Sequence, residues 1–412
     1  MSLVSLLLLL ICVGCGDTIT EKVRYNINEP LFISMDDFRN SIDIRTIPEP
    51  IEYRGKMCFY NDYMYISEPE KGIHIIDNRN PSNPRSVGFI ELMGNVDLSI
   101  RANTLYADAY IDLVWFDISN PAQPTFGGRL ENVFPYAMPE TNNNDRIDYS
   151  MCEEGKKKNQ VVVGWKVARR EEIYTYDKDQ MYNDMVASPG GSNTGITGSM
   201  AAFAIYKDNL YTLTQNVLSI FDISQAKPEL KREGVRIGGD VETIFSYKEY
   251  MFFGTRQGML IWSVKDPLDP QFVSGISHIY GCDPVVVEND IAYVTVFSGN
   301  GCGQTINELI VLDVSNIEQP KPIVTYAMKQ PKGLAIENGI LFLCDDGLKI
   351  FDATDPQTLM AHQLAHYTGM DGYDVIPYNK VLMMISDKGL HQYDYADLDN
   401  ITELSFFPLG RE

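Results

Sequence analysis

The stretch Glu308–Pro322, ELIVLDVSNIEQPKP, reads as a short apolar strand, an aspartate that ends it, a polar turn and two prolines. This phrase recurs seven times, and the recurrence limits the possible folds more than any other feature. Aligned on the terminal aspartate, the copies end at Asp77, Asp117, Asp222, Asp313, Asp352 and Asp394, with Ser263 at that position in one degenerate copy. Successive landmarks lie 40, 105, 41, 50, 39 and 42 residues apart. A period near 40 built only from strand-like runs is the signature of a propeller blade.

Each period holds four strand candidates. In the sixth they are Gly333–Glu337, Ile340–Cys344, Gly347–Asp352 and Leu359–Tyr367, separated by Asn338-Gly339, by Asp345 to Gly347 and by Asp355-Pro356. Those dipeptides are turn formers, and the strands are rich in β-branched and aromatic residues. One such sheet cannot bury both its faces alone, whereas radial stacking buries them and leaves only short edges. The expected fold is therefore all-β, a seven-bladed β-propeller of four-stranded antiparallel blades over residues 51–412. Blade one starts near Tyr53 and blade two near Asn95. Blades three to seven are expected at about Ser199–Arg236, Gly238–Gly275, His278–Ala327, Lys332–His366 and Asp371–Pro408.

The 105-residue step exceeds one period, and the surplus falls within Asn132–Ser199 as an insertion between blades two and three. It carries the basic run Lys156, Lys157, Lys158, the pair Arg169 and Arg170, and a segment, Gln160–Val167, that reads as a strand and a candidate outer strand for blade two. Residues 15–50 read as a tether with Pro30, Pro48 and Pro50. Within them Ser41–Ile47 alternates well enough to be a lead-in strand, expected to pair with the last blade and help close the ring.

The phrase Leu-Ile-Val-Leu-Asp followed by a Ser/Pro turn resembles the LVIVD repeat of bacterial surface and secreted proteins, across Tyr53–Pro408. The opening copy KGIHIIDNRNPSNP, with GNVD and LYADAYIDL after it, resembles lipoproteins of that family. The resemblance implies the propeller and supplies no activity. Residues 1–14, MSLVSLLLLLICVG, resemble a lipoprotein signal peptide, too short and too soon interrupted to span a bilayer. That likeness implies cleavage before Cys15, lipid on its sulfur and a cell-envelope location, on the outer membrane or cell surface.

Net charge is -22, none of it in residues 1–14. Nucleic acid and anionic lipid surfaces would be repelled by such a body, so contact with membrane is expected through the lipid anchor only.

In a propeller, the loops that enter the innermost strands and those joining strands two and three share one face. Asp97, Asp240, Asp283 and Asp374 each fall just before an innermost strand, so they are candidates to ring the channel mouth. Converging carboxylates would suit calcium; the plainer reading, which we favour, has each aspartate capping its own turn. The strand-ending aspartates are too regular to be sites and are expected to bond the turn that follows. His74 and His391 share a repeat position with Lys349, which therefore tolerates a polar group. His362 and His366 are expected on one outer strand about 13 Å apart, too far to share a metal. Cys282 and Cys302 sit in two loops of one blade face, and a disulfide between them would stabilise by about 3 kcal/mol in an oxidising envelope.

No hydrolase, phosphate-loop or dinucleotide motif is present. The leading expectation is a lipid-anchored, non-catalytic scaffold that holds a protein or glycan on the insertion-bearing face, with no cofactor. The alternative is a glycan hydrolase or lyase using the channel-mouth carboxylates, an analogy from fold alone.

Overall fold

The aspartate-turn phrase folds alike in every copy. The carboxylates of Asp77, Asp117, Asp222, Asp313, Asp352 and Asp394 each accept the N–H two residues on, at 2.8–3.1 Å. In the degenerate copy the Ser263 hydroxyl takes the N–H of Lys265 at 3.3 Å. These bonds stop the strand and start the turn, as the regular spacing suggests. The structure, a computed structural model, describes residues 18–141, 143, 145–177, 202–214, 216–277, 284–297 and 306–410.

The chain divides into two compact units, one drawn from Met1–Phe32 and Thr141–Asn193, the other from Ile33–Glu140 and Thr194–Glu412. Among the described residues the larger unit is all-β apart from two short helical segments, with seven sheets that repeat one four-stranded antiparallel meander. The first runs Met57–Tyr60, Tyr63–Glu68, Gly72–Asp77 and Arg85–Glu91, and the last Gly372–Tyr378, Val381–Ser386, Gly389–Asp394 and Thr402–Pro408. Middle strands are buried on both faces, as in Tyr63–Glu68, while the outer strand Thr402–Pro408 is half exposed. Facing sheets account for that gradient.

Each sheet also carries a bulge between its third and fourth strands at one repeat position, from Ile75/Ile76 in the first to Gln392/Tyr393 in the last. A bulge raises local twist and bends the outer strand. Glycine opens several third strands because there is no room for more. A Cβ on Gly258 (φ 139°) would lie 1.9 Å from the Ile276 carbonyl oxygen.

Neighbouring sheets share one core contact. The third-strand apolar residue of one sheet clusters with the residue after the strand-ending position of the next: Trp115 with Ile223, Ile220 with Val264, Ile261 with Val314, Val311 with Ala353, and Ile350 with Tyr395. Between the last sheet and the first the same two positions hold Gln392 and Asn78. Their buried side-chain amides exchange hydrogen bonds at 2.9 and 2.7 Å. Ser405 adds a bond to the Pro81 carbonyl at 2.6 Å, and Met64 and Ile76 pack with Met383 and Ile385 around them.

The lead-in departs from expectation twice. Thr18–Ser34 is a 17-residue strand and not a tether. The later lead-in strand, Asp43–Arg45, pairs with Arg85–Glu91 on the outer edge of the first sheet, not with the last sheet. Contact with the last sheet comes from Ile51, whose carbonyl accepts the Gly410 N–H at 2.8 Å. Between these lead-in strands the helix Met35–Arg39 buries Phe38 against Tyr110, and Arg39 joins Arg129 on the fully buried Asp112.

The smaller unit has its own three-stranded sheet, with Thr18–Ser34 between Arg146–Ile147 and Gln160–Asp177, and the helix Tyr149–Lys157. Gln160–Val167 therefore pairs with the lead-in, and the outer strand of the second sheet is Thr125–Leu130. The insertion is shorter than its sequence limits: Val133 and Phe134 are buried in the larger unit's core.

Candidate functional site

The turn Gly94–Asp97 feeds the innermost strand of the second sheet, and Asn95 fixes it. Its buried amide donates to the Asp97 carbonyl (2.9 Å) and the Asp108 carboxylate (3.0 Å), and accepts from the Ser67 hydroxyl (2.8 Å). Asp97 is thereby aimed inward, 1% exposed. Its carboxylate accepts the N–H of Leu98 at 2.7 Å and of Phe203 at 3.1 Å, takes a bond from the Ala202 N–H, and pairs with Lys56 Nζ at 3.1 Å. One side chain thus ties together the first three sheets. Burial pushes the Asp97 carboxyl up, with Lys56 pulling against it; burial opposes the Lys56 charge too, but Asp97 beside it leaves the ammonium pKa raised. Asp108, behind this turn, is pushed up to about 7 by burial.

A second knot joins the sixth, seventh and first sheets. Asp371 takes Lys332 Nζ at 2.6 Å and Arg54 at 3.0 Å, and the Arg54 guanidinium lies 4.9 Å from the Tyr373 ring centre. Burial opposes the Asp371 charge, yet Lys332 and Arg54 hold its carboxyl below the usual range. Asp345 accepts from Lys349 and from the N–H groups of Lys329 and Gln330, and Arg256 pairs with the buried Glu242 at 2.9 Å. Asp374, also buried, accepts the Val375 N–H at 2.9 Å. Asp240 is different: it is exposed, 3.5 Å from the Asn216 amide, beside a surface recess. Asp97 and Asp374 both act on the buried Lys56 and Cys58, whereas Asp240 stands apart on the surface, and among the described residues no three His, Cys, Asp or Glu side chains gather to hold a metal. Asp283, like Cys15, Cys282 and Cys302, lies outside the described residues.

The histidines take structural partners. His74 is fully buried with Nε2 2.7 Å from Glu68, and His391 contacts Ser386 and Glu403. With Lys349 on Asp345, this repeat position binds the end of strand two, a role its mere polarity did not reveal. His362 ends the 3-10 segment Pro356–His362 instead of sharing a strand with His366. Cys58, Cys152 and Cys344 are free thiols, and burial pushes Cys58 up to about 12.

The basic residues of the insertion belong to the smaller unit. Lys156 and Lys157 occupy the last turn of the helix Tyr149–Lys157, where positive charge complements its dipole, and Lys158 caps it. Arg170 pairs with Asp148 at 2.6 Å and Glu29 at 3.1 Å, and Arg169 is exposed. By composition the smaller unit holds 12 acidic and 10 basic residues, the larger 44 and 24, so the negative charge resides in the larger.

Seven four-stranded meanders, tied in places by ion pairs such as Lys56–Asp97 and Lys332–Asp371, define a class: a repeat protein of propeller-like sheets. The particular repeat is the LVIVD repeat, which the chain carries at residues 57–91 and 96–131. No curated protein matches the chain. Among solved structures, it is similar to a provisionally named 6-phosphogluconolactonase of Bacteroides fragilis, 11% identical with a TM-score of 0.51, over 88% of this chain and 94% of that one. A provisionally named 6-phosphogluconolactonase of Bacteroides uniformis is 7% identical with a TM-score of 0.50, over 72% and 80%. These likenesses concern the fold alone.

Proposed function

We propose that the seven sheets close into a seven-bladed β-propeller, lipidated at Cys15, which serves as a non-catalytic binding scaffold for a protein or glycan in the bacterial envelope. The observation that carries the reading is the state of the inner carboxylates: Asp97, Asp371 and Asp345 are each committed to a cation or to backbone N–H groups. A general base or nucleophile needs a lone pair free for substrate. Committed carboxylates instead brace adjoining sheets and hold the surface between them rigid, which suits recognition. The amide bonds between Asn78 and Gln392 support closure, since they link sheets at the two ends of the repeat. The smaller unit, with exposed Arg169, Lys157 and Lys158, is a second surface for an acidic partner.

Two measurements test this. Cys15→Ser should abolish metabolic labelling with a fatty acid and release the protein from the membrane fraction; continued labelling would refute the anchor. Purified protein should bind its own envelope fraction saturably while releasing no soluble sugar or peptide. Turnover lost in Asp97→Asn or Asp374→Asn would instead establish the hydrolase or lyase reading.

A further inference from the structure

We infer that a recess between the third and fourth sheets is a binding site for a neutral oligosaccharide. This names the ligand class of the scaffold proposed above and rests on that reading. The recess has two joined parts of about 390 and 350 Å³ that share Gly239 and Gln257. Both lie where the loop entering the fourth sheet meets the loops joining strands two and three.

One part is polar, with Arg236, Asp240 and Gln257 on its walls. All three end in planar groups that present donors or acceptors side by side. The Arg236 guanidinium and the Gln257 amide have no hydrogen bond or ion pair among the described residues, so neither is committed to the fold. Val241 N–H binds the Asn216 side-chain amide oxygen at 2.8 Å, and the nitrogen of that amide reaches Asp240 only at 3.5 Å. The other part is lined by Leu260, Trp262 and Phe272. Phe272 is 57% exposed and packs edge-on against Trp262, their centroids 6.0 Å apart. The Trp262 Nε1 donor is shielded and has no partner among the described residues.

The chemistry selects the ligand. A ligand with one charge would meet its own sign at either Arg236 or Asp240. An anion would also meet the field of a unit with 44 acidic and 24 basic residues. Vicinal hydroxyls both donate and accept, so they satisfy a guanidinium, a carboxylate and an amide together. The apolar C–H face of a sugar ring suits the exposed aromatic edge, and few ligands other than neutral glycans offer both surfaces. Gly238 keeps the wall low: a Cβ there would meet only Leu260 Cδ1, at 4.0 Å.

The test is calorimetry and tryptophan fluorescence of the full chain in detergent, titrated with glucan and mannan oligosaccharides and, separately, with uronic-acid oligomers. Saturable binding of a neutral oligomer with a change in indole emission is expected. Phe272→Ala and the wall-filling Gly238→Leu should each weaken it about tenfold or more, with thermal melting unchanged. Arg236→Ala should weaken it further. Unaltered affinity in all three variants, no binding of any neutral oligomer, or binding confined to the uronic acids would each overturn the site. Saturable envelope binding that persists in Gly238→Leu would overturn the glycan groove while leaving the scaffold reading standing.

Discussion

The two units are built by opposite logics. In the larger, a period of about 40 residues recurs seven times, once in degenerate form, and apart from the last and first sheets each sheet finds its partner next door in sequence. In the smaller, one sheet joins Thr18–Ser34 to Gln160–Asp177, more than a hundred residues further on, and nothing repeats. The larger draws stability from many equivalent interfaces sealed by buried polar ties. The smaller buries few side chains, among them Ile27, Cys152, Val161 and Val162, and joins its strands with exposed pairs such as Lys22 and Arg24 on Glu171. Repetition makes an interface robust in aggregate; a unique sheet stands or falls on single contacts.

Substitutions should separate the two by size of effect. The largest is expected at Asp97→Ala, which leaves Lys56 and three N–H groups facing a void; removing one partner of a buried ion pair costs about 3–5 kcal/mol. Chemical denaturation should show that loss in the main transition, and a cost under about 1 kcal/mol would mean that water reaches the site. Next is Asn78→Leu, which deprives the buried Gln392 amide oxygen of its Asn78 donor at about 1–3 kcal/mol, while the amide nitrogen keeps the Pro81 carbonyl and Ser405. The double change with Gln392→Leu should recover most of it, because the equivalent positions elsewhere are apolar; no recovery would show that the amide pair is not simply a replacement for them.

In the smaller unit, Asp148→Ala removes the helix N-cap and should cost about 1 kcal/mol. Hydrogen exchange should place that loss in Tyr149–Lys157 with the main transition unmoved; a shift of the main transition would join units we treat as separate.

The smallest effect concerns pH. The hydroxyls of Ser119 and Ser315 hold Asp117 and Asp313 below the usual carboxylate range. A folded pKa below the unfolded one gives stability that is present above about 3.8 and lost as pH falls through the folded value. Thermal melts from pH 5 down to pH 2.5 should decline less steeply in Asp117→Asn/Asp313→Asn than in the parent. Parallel curves would remove these turns from the acid response.

What was legible in the sequence follows the same division. The four strands of the sixth sheet were readable almost to the residue, because Asn338-Gly339 and Asp355-Pro356 are local turn chemistry. Only the outer one shifted, since Pro356–His362 forms a 3-10 turn before it. The strand-ending aspartates were readable for the same reason. Asp97 was one of four channel-mouth candidates, with capping of its own turn the favoured reading; its partners Lys56, Ala202 and Phe203 lie on other sheets, and no local pattern points to them. Asp240 was grouped with it by position in the repeat, although the burial that distinguishes them depends on the neighbouring sheet. Thr18–Ser34 looked like a tether because its partner is remote and it has no copy to compare. The Asn78–Gln392 pair did leave a trace: two amides at repeat positions otherwise apolar, at opposite ends of the chain.

That pair also bears on biosynthesis. Asn78 and Gln392 stand 314 residues apart in sequence, so the first sheet keeps one greasy side wet until that long loop has closed. A chain halted early would keep Met64 and Ile76 uncovered and offer chaperones and proteases a handle that the finished protein lacks. The strands Val381–Ser386 and Gly389–Asp394 therefore hide the apolar side of the first sheet, and their failure to dock would be read out as sticky surface.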